Sequence, residues 1–420
     1  MLTVPHARGP KVAPPSTWPR HAAIHAAPSL PDFVVRQLSG GRPLESRWVP
    51  AGLAAGALLA GVGWWRAWRR RAAARTVPLP GRRRGRGLVF AAGAACAVLL
   101  VLATLAAVNS YVGYVPTLAT LLNRLPGGTH TARRSALAAL PRDARRADIQ
   151  LDSVAGPRSQ IVEVTISAAA LGFHHRPAYV YLPPGYDLWA NRHRRYPVVY
   201  LIHGNPGGAI DWMRSGSVRT TMDTLIADHL IRPMIVVAPS SSWSWVTDSE
   251  CLDAVRGPRA ETYLTRVVVA WVDSHFRTIA DRAGRAIGGM SSGAYCALNL
   301  GLRHQGEFSV LLAHEPYGTP GLDAERRLLG GSAALYRANS PIEYLPTLGF
   351  PDRLAVFLDA GSDDHEGLGQ TRQLAIELAE RGQVVAMRIA AGTGHTWREA
   401  RLELPYSLVF ADQHIGASRL

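Results

Sequence analysis

The stretch "AIGGMSSGAY", residues 286–295, sets two serines side by side among small residues, in the order strand former, tight turn, helix former. A serine hydroxyl at its free pKa is a poor nucleophile. It needs a base to take its proton, a carboxylate to orient that base, and N–H donors for the oxyanion that its attack creates. Gly289, Met290, Ser291, Ser292 and Gly293 satisfy G-x-S-x-G, a sharp strand-to-helix turn that holds a nucleophile in a strained backbone conformation. The residues two before and two after the nucleophile crowd each other there, and both favour glycine. Ser291 has Gly289 and Gly293 at those offsets, whereas Ser292 has Met290 and Ala294, so Ser291 is the candidate nucleophile. One match among 40 glycines carries little weight by itself, and the neighbouring stations decide.

In this architecture the acid and the histidine follow the serine in chain order, each just beyond a later strand. "RLAVFLDAGSDDHEG" puts acids at the end of one apolar run, and "VVAMRIAAGTGHTW" puts His395 in a glycine-rich loop after the next. Asp364, spaced G-x-x-D from Gly361, is the first candidate for the orienting carboxylate, with Asp363 and Glu366 as alternatives; Asp359 lies too close to the strand end. One oxyanion N–H is expected from Ser292, whose side chain is then incidental, and the other from the loop "HGNPGG", with Asn205 as the candidate. His203 in that loop is read as a structural hydrogen-bonding group rather than a base. Trp212, Trp243, Trp245 and Trp397 are candidates for an apolar pocket, with the core as the ordinary alternative. HExxH, CxxC and Walker-type patterns are absent, and the adjacent His174 and His175 point to opposite sides of a strand, so neither a metal site nor a cofactor is expected.

Elements able to position these residues are legible around them. "YPVVYLIHG", "MIVVAPS", "RAIGGMS", "FSVLLAHE", "RLAVFLDAG" and "VVAMRIAAG" are short, continuous apolar runs, separated mostly by helix-length segments such as "QTRQLAIELAERG". The alternation predicts an α/β fold with a mostly parallel central sheet and helices on both faces, over residues 159–420. "SQIVEVTIS" and "PAYVYLPPGY" alternate like antiparallel edge strands.

The formal charge of +15 is localised: residues 1–87 carry 15 basic residues against two acids, and the remainder is nearly balanced. Residues 48–65 and 88–108 are uncharged stretches that would span roughly 27 and 31 Å as helices, enough for a hydrocarbon core. Between them, residues 66–87 hold nine arginines and no acid. Without aromatic platforms or a reading element this is a poor nucleic-acid patch, and it fits a cytoplasmic loop between two transmembrane helices, attracted to membrane lipids. The chain is therefore expected to be a multi-pass cell-membrane protein with its catalytic domain extracytoplasmic. Residues 1–47 read as a disordered tail and residues 109–158 as an interfacial segment followed by a linker. Cys96 lies in the second span, lipid-facing or packed, while Cys251 and Cys296 are either bridged or two separate buried thiols.

Together "RYPVVYLIHGNPGGAIDW", "MIVVAPS", "GGMSSGAYCALNLGLRHQGEFS", "LDAGSDDHEG" and "GTGHTW" resemble the "Putative esterase" family of α/β-hydrolases over residues 159–415. That family includes esterase D, feruloyl esterases, enterochelin esterases and the antigen 85 mycolyltransferases. The resemblance implies an acyl-enzyme mechanism at Ser291, Asp364 and His395, with Asn205 and Ser292 as oxyanion donors. The hairpin ahead of the domain is similar to that of exported esterase-like proteins of mycolate-making actinobacteria. Mycolyltransferases usually have a Glu as the acid, so the G-x-x-D here favours hydrolysis of a small-molecule ester or acyl lipid over transfer to a sugar hydroxyl. A silent hydrolase fold used as a binding module is the reading from another class, and intact motifs at every station oppose it.

Overall fold

The computed structural model describes residues 24–40, 42–73, 83–122, 150–151, 158–244, 247–321 and 323–416. Its strands are β1 (Ile24–His25), β2 (Gln150–Leu151), β3 (Gln160–Ala168), β4 (Phe173–Leu182), β5 (Val198–Ile202), β6 (Ile235–Pro239), β7 (Arg285–Met290), β8 (Val310–His314), β9 (Ala355–Gly361) and β10 (Val384–Ala390). They form one sheet in the order β1-β10-β9-β8-β7-β5-β6-β4-β3-β2. Pairing is parallel from β1 across to β6 and antiparallel from β6 through β4 and β3 to β2. Every residue of β5 through β9 is buried, which is why those strands read as unbroken apolar runs. In β3 only alternate residues, Val162, Val164 and Ile166, turn inward, as on a sheet with one wet face.

Adjacent residues of the central strands feed two apolar layers. Ile202, Ile287 and Leu311 pack with Ala294, Ala297 and Leu298 of the helix Ser292–Arg303. Leu201, Ala286 and Leu312 pack with Ala400, Leu404 and Leu408 of the helix Trp397–His414 on the other side.

The N-terminal segment departs from the expected tail. Residues 1–23 lie outside the described residues, but β1 adds a parallel strand beside β10, and helix α1 (Asp32–Ser39) buries Val34 and Leu38 in the same layer as Met222 and Leu225. The apolar residues that do this are few and sit among prolines and alanines, so no run long enough to reveal a strand or helix precedes the fold. Val34 and Leu38, four residues apart, are the single helical signal.

Two long helices follow, α2 (Trp48–Ala73) and α3 (Arg83–Val112). Their windows Trp48–Arg70 and Val89–Val112 are long and apolar enough to cross a membrane, and only 6% of each is buried within the protein. The helices run antiparallel through small residues. A β-carbon added at Gly61 would lie 3.4 Å from Cys96 Sγ, one at Gly93 would lie 3.1 Å from Trp64 Nε1, and Cys96 Sγ contacts Ala57 O at 3.3 Å. The glycines and alanines that dilute the apolar character of the first helix are thus what lets the second approach it. Chain preceding α2 and chain following α3 meet in one sheet through β1 and β10.

Candidate active site

β7 ends at Met290 and helix α4 (Ser292–Arg303) begins at once, leaving Ser291 between them at φ 58°, ψ −121°. Few L-residues hold that backbone conformation, and two close approaches surround it. A β-carbon on Gly289 would lie 2.2 Å from Gly293 O, and one on Gly293 would lie 2.2 Å from Ile202 O. Ser291 N–H donates to His314 O at the end of β8 (3.0 Å). Ser292 is buried in the first helical turn, so the two serines differ in backbone and exposure.

Asp364 caps helix α5 (His365–Glu380): its Oδ1 accepts Gly367 N–H (3.0 Å) while its Oδ2 lies 3.1 Å from His395 Nδ1. One carboxylate thus starts a helix and orients an imidazole. The loop carrying His395 is pressed onto the end of β9, since a β-carbon on Gly361 would lie 2.2 Å from Thr393 O. The alternatives behave as loop acids: Asp363 is exposed with its Oδ1 on Ser362 Oγ (2.9 Å), and Glu366 is exposed in the first turn of α5. Asparagine caps helices as well as aspartate does but offers His395 the wrong hydrogen-bonding group. Asp364→Asn is therefore expected to lower kcat on an activated ester by on the order of 10³-fold or more with little change in melting temperature, and Asp363→Asn by less than about twofold.

Gly204 carries the loop after β5 against the serine, where an added β-carbon would lie 3.3 Å from Ser291 Cβ. Among the described residues, no hydrogen bond uses the backbone N–H of Asn205 or Ser292. His203 beneath the loop is buried with both nitrogens engaged. Its Nε2 accepts from Ser241 N–H (3.2 Å), so Nδ1 carries the proton and donates to Gly204 O (2.9 Å). Burial lowers its pKa and keeps it neutral. Burial pushes the Asp248 carboxyl upward, and the nearby Ser292 hydroxyl partly offsets this. Beside it, burial and then Asp248 push Glu250 up to about 8, while Glu250 accepts from Tyr317 Oη (2.9 Å) and Gly321 N–H (3.0 Å).

A second Ser–His–Asp arrangement lies deeper, and no sequence motif announced it. His314 Nδ1 is 2.6 Å from Asp359 Oδ2 and His314 Nε2 is 3.1 Å from Ser407 Oγ, but all three side chains are fully buried. No substrate reaches them, and the cluster serves as a floor, presenting the His314 carbonyl to Ser291. Next to it, Glu315 accepts Thr396 N–H (2.9 Å), tying down the residue after His395.

Cys251 and Cys296 are bridged, with Cα atoms 5.5 Å apart, which ties the loop bearing Asp248 and Glu250 to α4. Of the tryptophans proposed as pocket lining, Trp212 and Trp397 are core residues in edge-to-face contact at 5.1 Å, with Trp212 Nε1 donating to Ile202 O (2.8 Å). Trp243 packs on the cluster of Leu252, Leu328 and Leu329, and Trp245 lies outside the described residues. Among the described residues, no three His, Cys, Asp or Glu side chains are grouped to hold a metal ion.

A largely parallel sheet whose strand order reverses about β5, with Ser291, Asp364 and His395 all at the C-terminal ends of its strands, defines an α/β-hydrolase. The family model described as "Putative esterase" matches residues 171–399, more than half of the chain, and the chain belongs to that family. An uncharacterised protein of Corynebacterium glutamicum is 30% identical over 185 residues, 43% of each chain. An endo-1,4-beta-xylanase/feruloyl esterase of Xylanibacter ruminicola is 27% identical over 254 residues, 59% of this chain and 31% of that one. The chain thus spans less than half the length of these curated relatives. A solved ferulic acid esterase superposes with a TM-score of 0.55 at 26% identity, covering 62% of this chain and 100% of its own. An S-formylglutathione hydrolase from Agrobacterium tumefaciens, at 20% identity and a TM-score of 0.52 over 63% and 99% of the two chains, shares the fold.

Proposed function

We propose that this protein is a serine esterase anchored by a membrane-crossing helical hairpin, with its hydrolase domain, residues 159–420 together with the N-terminal strand and helix, on the extracytoplasmic side. The observation that carries the reading is a serine at φ 58° following β7 together with a hydrogen-bonded Asp364–His395 couple following β9 and β10, all at the C-terminal end of one parallel sheet. Because His395 Nδ1 faces Asp364, Nε2 is the nitrogen that takes the Ser291 proton. Ser291 Oγ bonds to the ester carbon, and the carbonyl electrons move to the oxyanion, which the N–H groups of Asn205 and Ser292 stabilise with help from the α4 N-terminus. The electrons return, the bond to the alcohol breaks, and His395 gives its proton to the departing oxygen. Water then repeats the sequence on the acyl-enzyme and releases the carboxylic acid. The steps call for no cofactor.

Relatives named as feruloyl esterases support a carboxylic ester as the substrate class. The nine arginines of residues 66–87 support a cytoplasmic loop. Chain on both sides of the hairpin enters one sheet, which calls for an even number of crossings. The test is p-nitrophenyl esters of graded chain length with the full chain, with and without trehalose as an acyl acceptor. Hydrolysis is expected, with free acid matching p-nitrophenol and no effect of trehalose. Acid yield replaced by a glycolipid would convert the reading to acyl transfer, and no turnover of any ester would overturn it.

A further inference from the structure

The end of α3 does not merely tether the domain; it is built into the rim of the candidate site. Tyr111, in its last turn, reaches the histidine loop, where a β-carbon on Gly394 would lie 2.4 Å from the Tyr111 hydroxyl. Three residues on, Tyr114 Oη donates to Asp211 Oδ1 (2.9 Å), and Asp211 Oδ2 accepts Gly208 N–H (2.8 Å) in the loop that holds Asn205. Tyr111 and Tyr114, at the end of the apolar helix, therefore reach both the histidine loop and the residue that holds the loop after β5.

This stretch is also locked in place. Arg401, one helical turn past His395's loop and fully buried, donates to Gly113 O (2.8 Å) and Ser215 O and pairs with Glu45 just ahead of α2. Gly113, at φ 66°, lies so close to the same helix that an added β-carbon would be 2.7 Å from Arg398 Cβ. Asn109 Nδ2 donates to Leu44 O (3.0 Å) and to Val115 O (2.9 Å), joining the two ends of the hairpin. Around this collar Trp48, Val108, Tyr111, Leu118 and Leu122 are exposed, each by more than half of its surface. Tryptophan and tyrosine flanking apolar helices belong at the headgroup level of a bilayer.

We propose that the site takes its ester directly from the membrane: the collar of Glu45, Arg401 and residues 109–115 holds the catalytic rim at the leaflet surface, so that an acyl lipid is drawn from the bilayer rather than from solution. The inference rests on the serine-esterase reading and on the hairpin crossing the membrane. Its physical basis is effective concentration, because a mouth fixed at the surface meets lipid confined to that surface, and a domain free to drift away loses the advantage.

The test reconstitutes the full chain in phosphatidylcholine vesicles and compares a bilayer-resident ester, 4-methylumbelliferyl oleate, with soluble 4-methylumbelliferyl acetate. Replacing the buried pair together, Glu45→Met with Arg401→Met, avoids leaving one charge unpaired. It is expected to lower the ratio of oleate to acetate turnover about tenfold or more, as fits loss of effective concentration at the surface. Tyr111→Ala, at an exposed helix end, is expected to lower the same oleate-to-acetate ratio severalfold and decides the matter if the double variant does not fold. An unchanged ratio in the variants, with both rates equal to wild type or both reduced alike, overturns the inference. Wild type that cleaves acetate but not oleate overturns it too while the esterase reading stands, and wild type that cleaves neither overturns both.

Discussion

Ser291→Ala is expected to abolish turnover of activated esters, with kcat falling by on the order of 10⁴- to 10⁶-fold, and to end labelling by a fluorophosphonate probe. Ser292→Ala is expected to keep both. Of the two serines, Ser291 alone stands at the turn with positive φ, beside the loop after β5 and at the same C-terminal end of the sheet as the Asp364–His395 couple. In the proposed mechanism Ser292 supplies a backbone N–H, which alanine retains. Losing the buried hydroxyl is expected to cost no more than about 1–3 kcal/mol of stability and less than about tenfold in rate. Gel fluorescence of labelled protein reads the outcome directly. Labelling that survives in the Ser291 variant would overturn the assignment.

The second large effect concerns residues with no chemistry of their own. Gly289→Ala and Gly293→Ala each set a methyl group 2.2 Å from a backbone oxygen that cannot move without unpairing the sheet or the helix. Each is expected to cost about 4 kcal/mol or more in urea unfolding and to lose nearly all ester turnover, because relief of the clash must displace β5, β7 or the first turn of α4. Gly306→Ala is the control. Nothing lies within 4 Å of a β-carbon there, so it should fall within about 1 kcal/mol of wild type and keep full activity. A Gly293→Ala protein as stable and active as wild type would show that the turn is not held as described.

Much of the sheet was legible because strands buried on both faces must be apolar throughout, and "VVYLI", "IVVAP" and "VLLAH" have no other way to be stable. The order of serine, acid and histidine was legible for a related reason, since each lies just past such a run. Asp364 could be ranked above Asp363 and Glu366 by its spacing from Gly361, but only the fold shows its Oδ1 capping α5 while its Oδ2 faces His395. β1 and α1 escaped notice because β1 has only two residues and α1 shows its period only through Val34 and Leu38, and their stability comes from β10 and from residues such as Leu225 far along the chain.

Local chemistry that repeats within a few residues was determined by the sequence alone: apolar runs, a glycine-flanked serine, two helices of membrane length and the arginines between them. Tertiary structure decided everything that depends on distant segments sharing one place. It joined Cys251 to Cys296, turned Trp212 and Trp397 into core, buried the His314–Asp359 pair out of reach, and set Tyr111 of the hairpin against Gly394. A side chain's identity states what it can bond to, whereas burial and neighbours decide what it does bond to, and those are supplied by residues tens to hundreds of positions away.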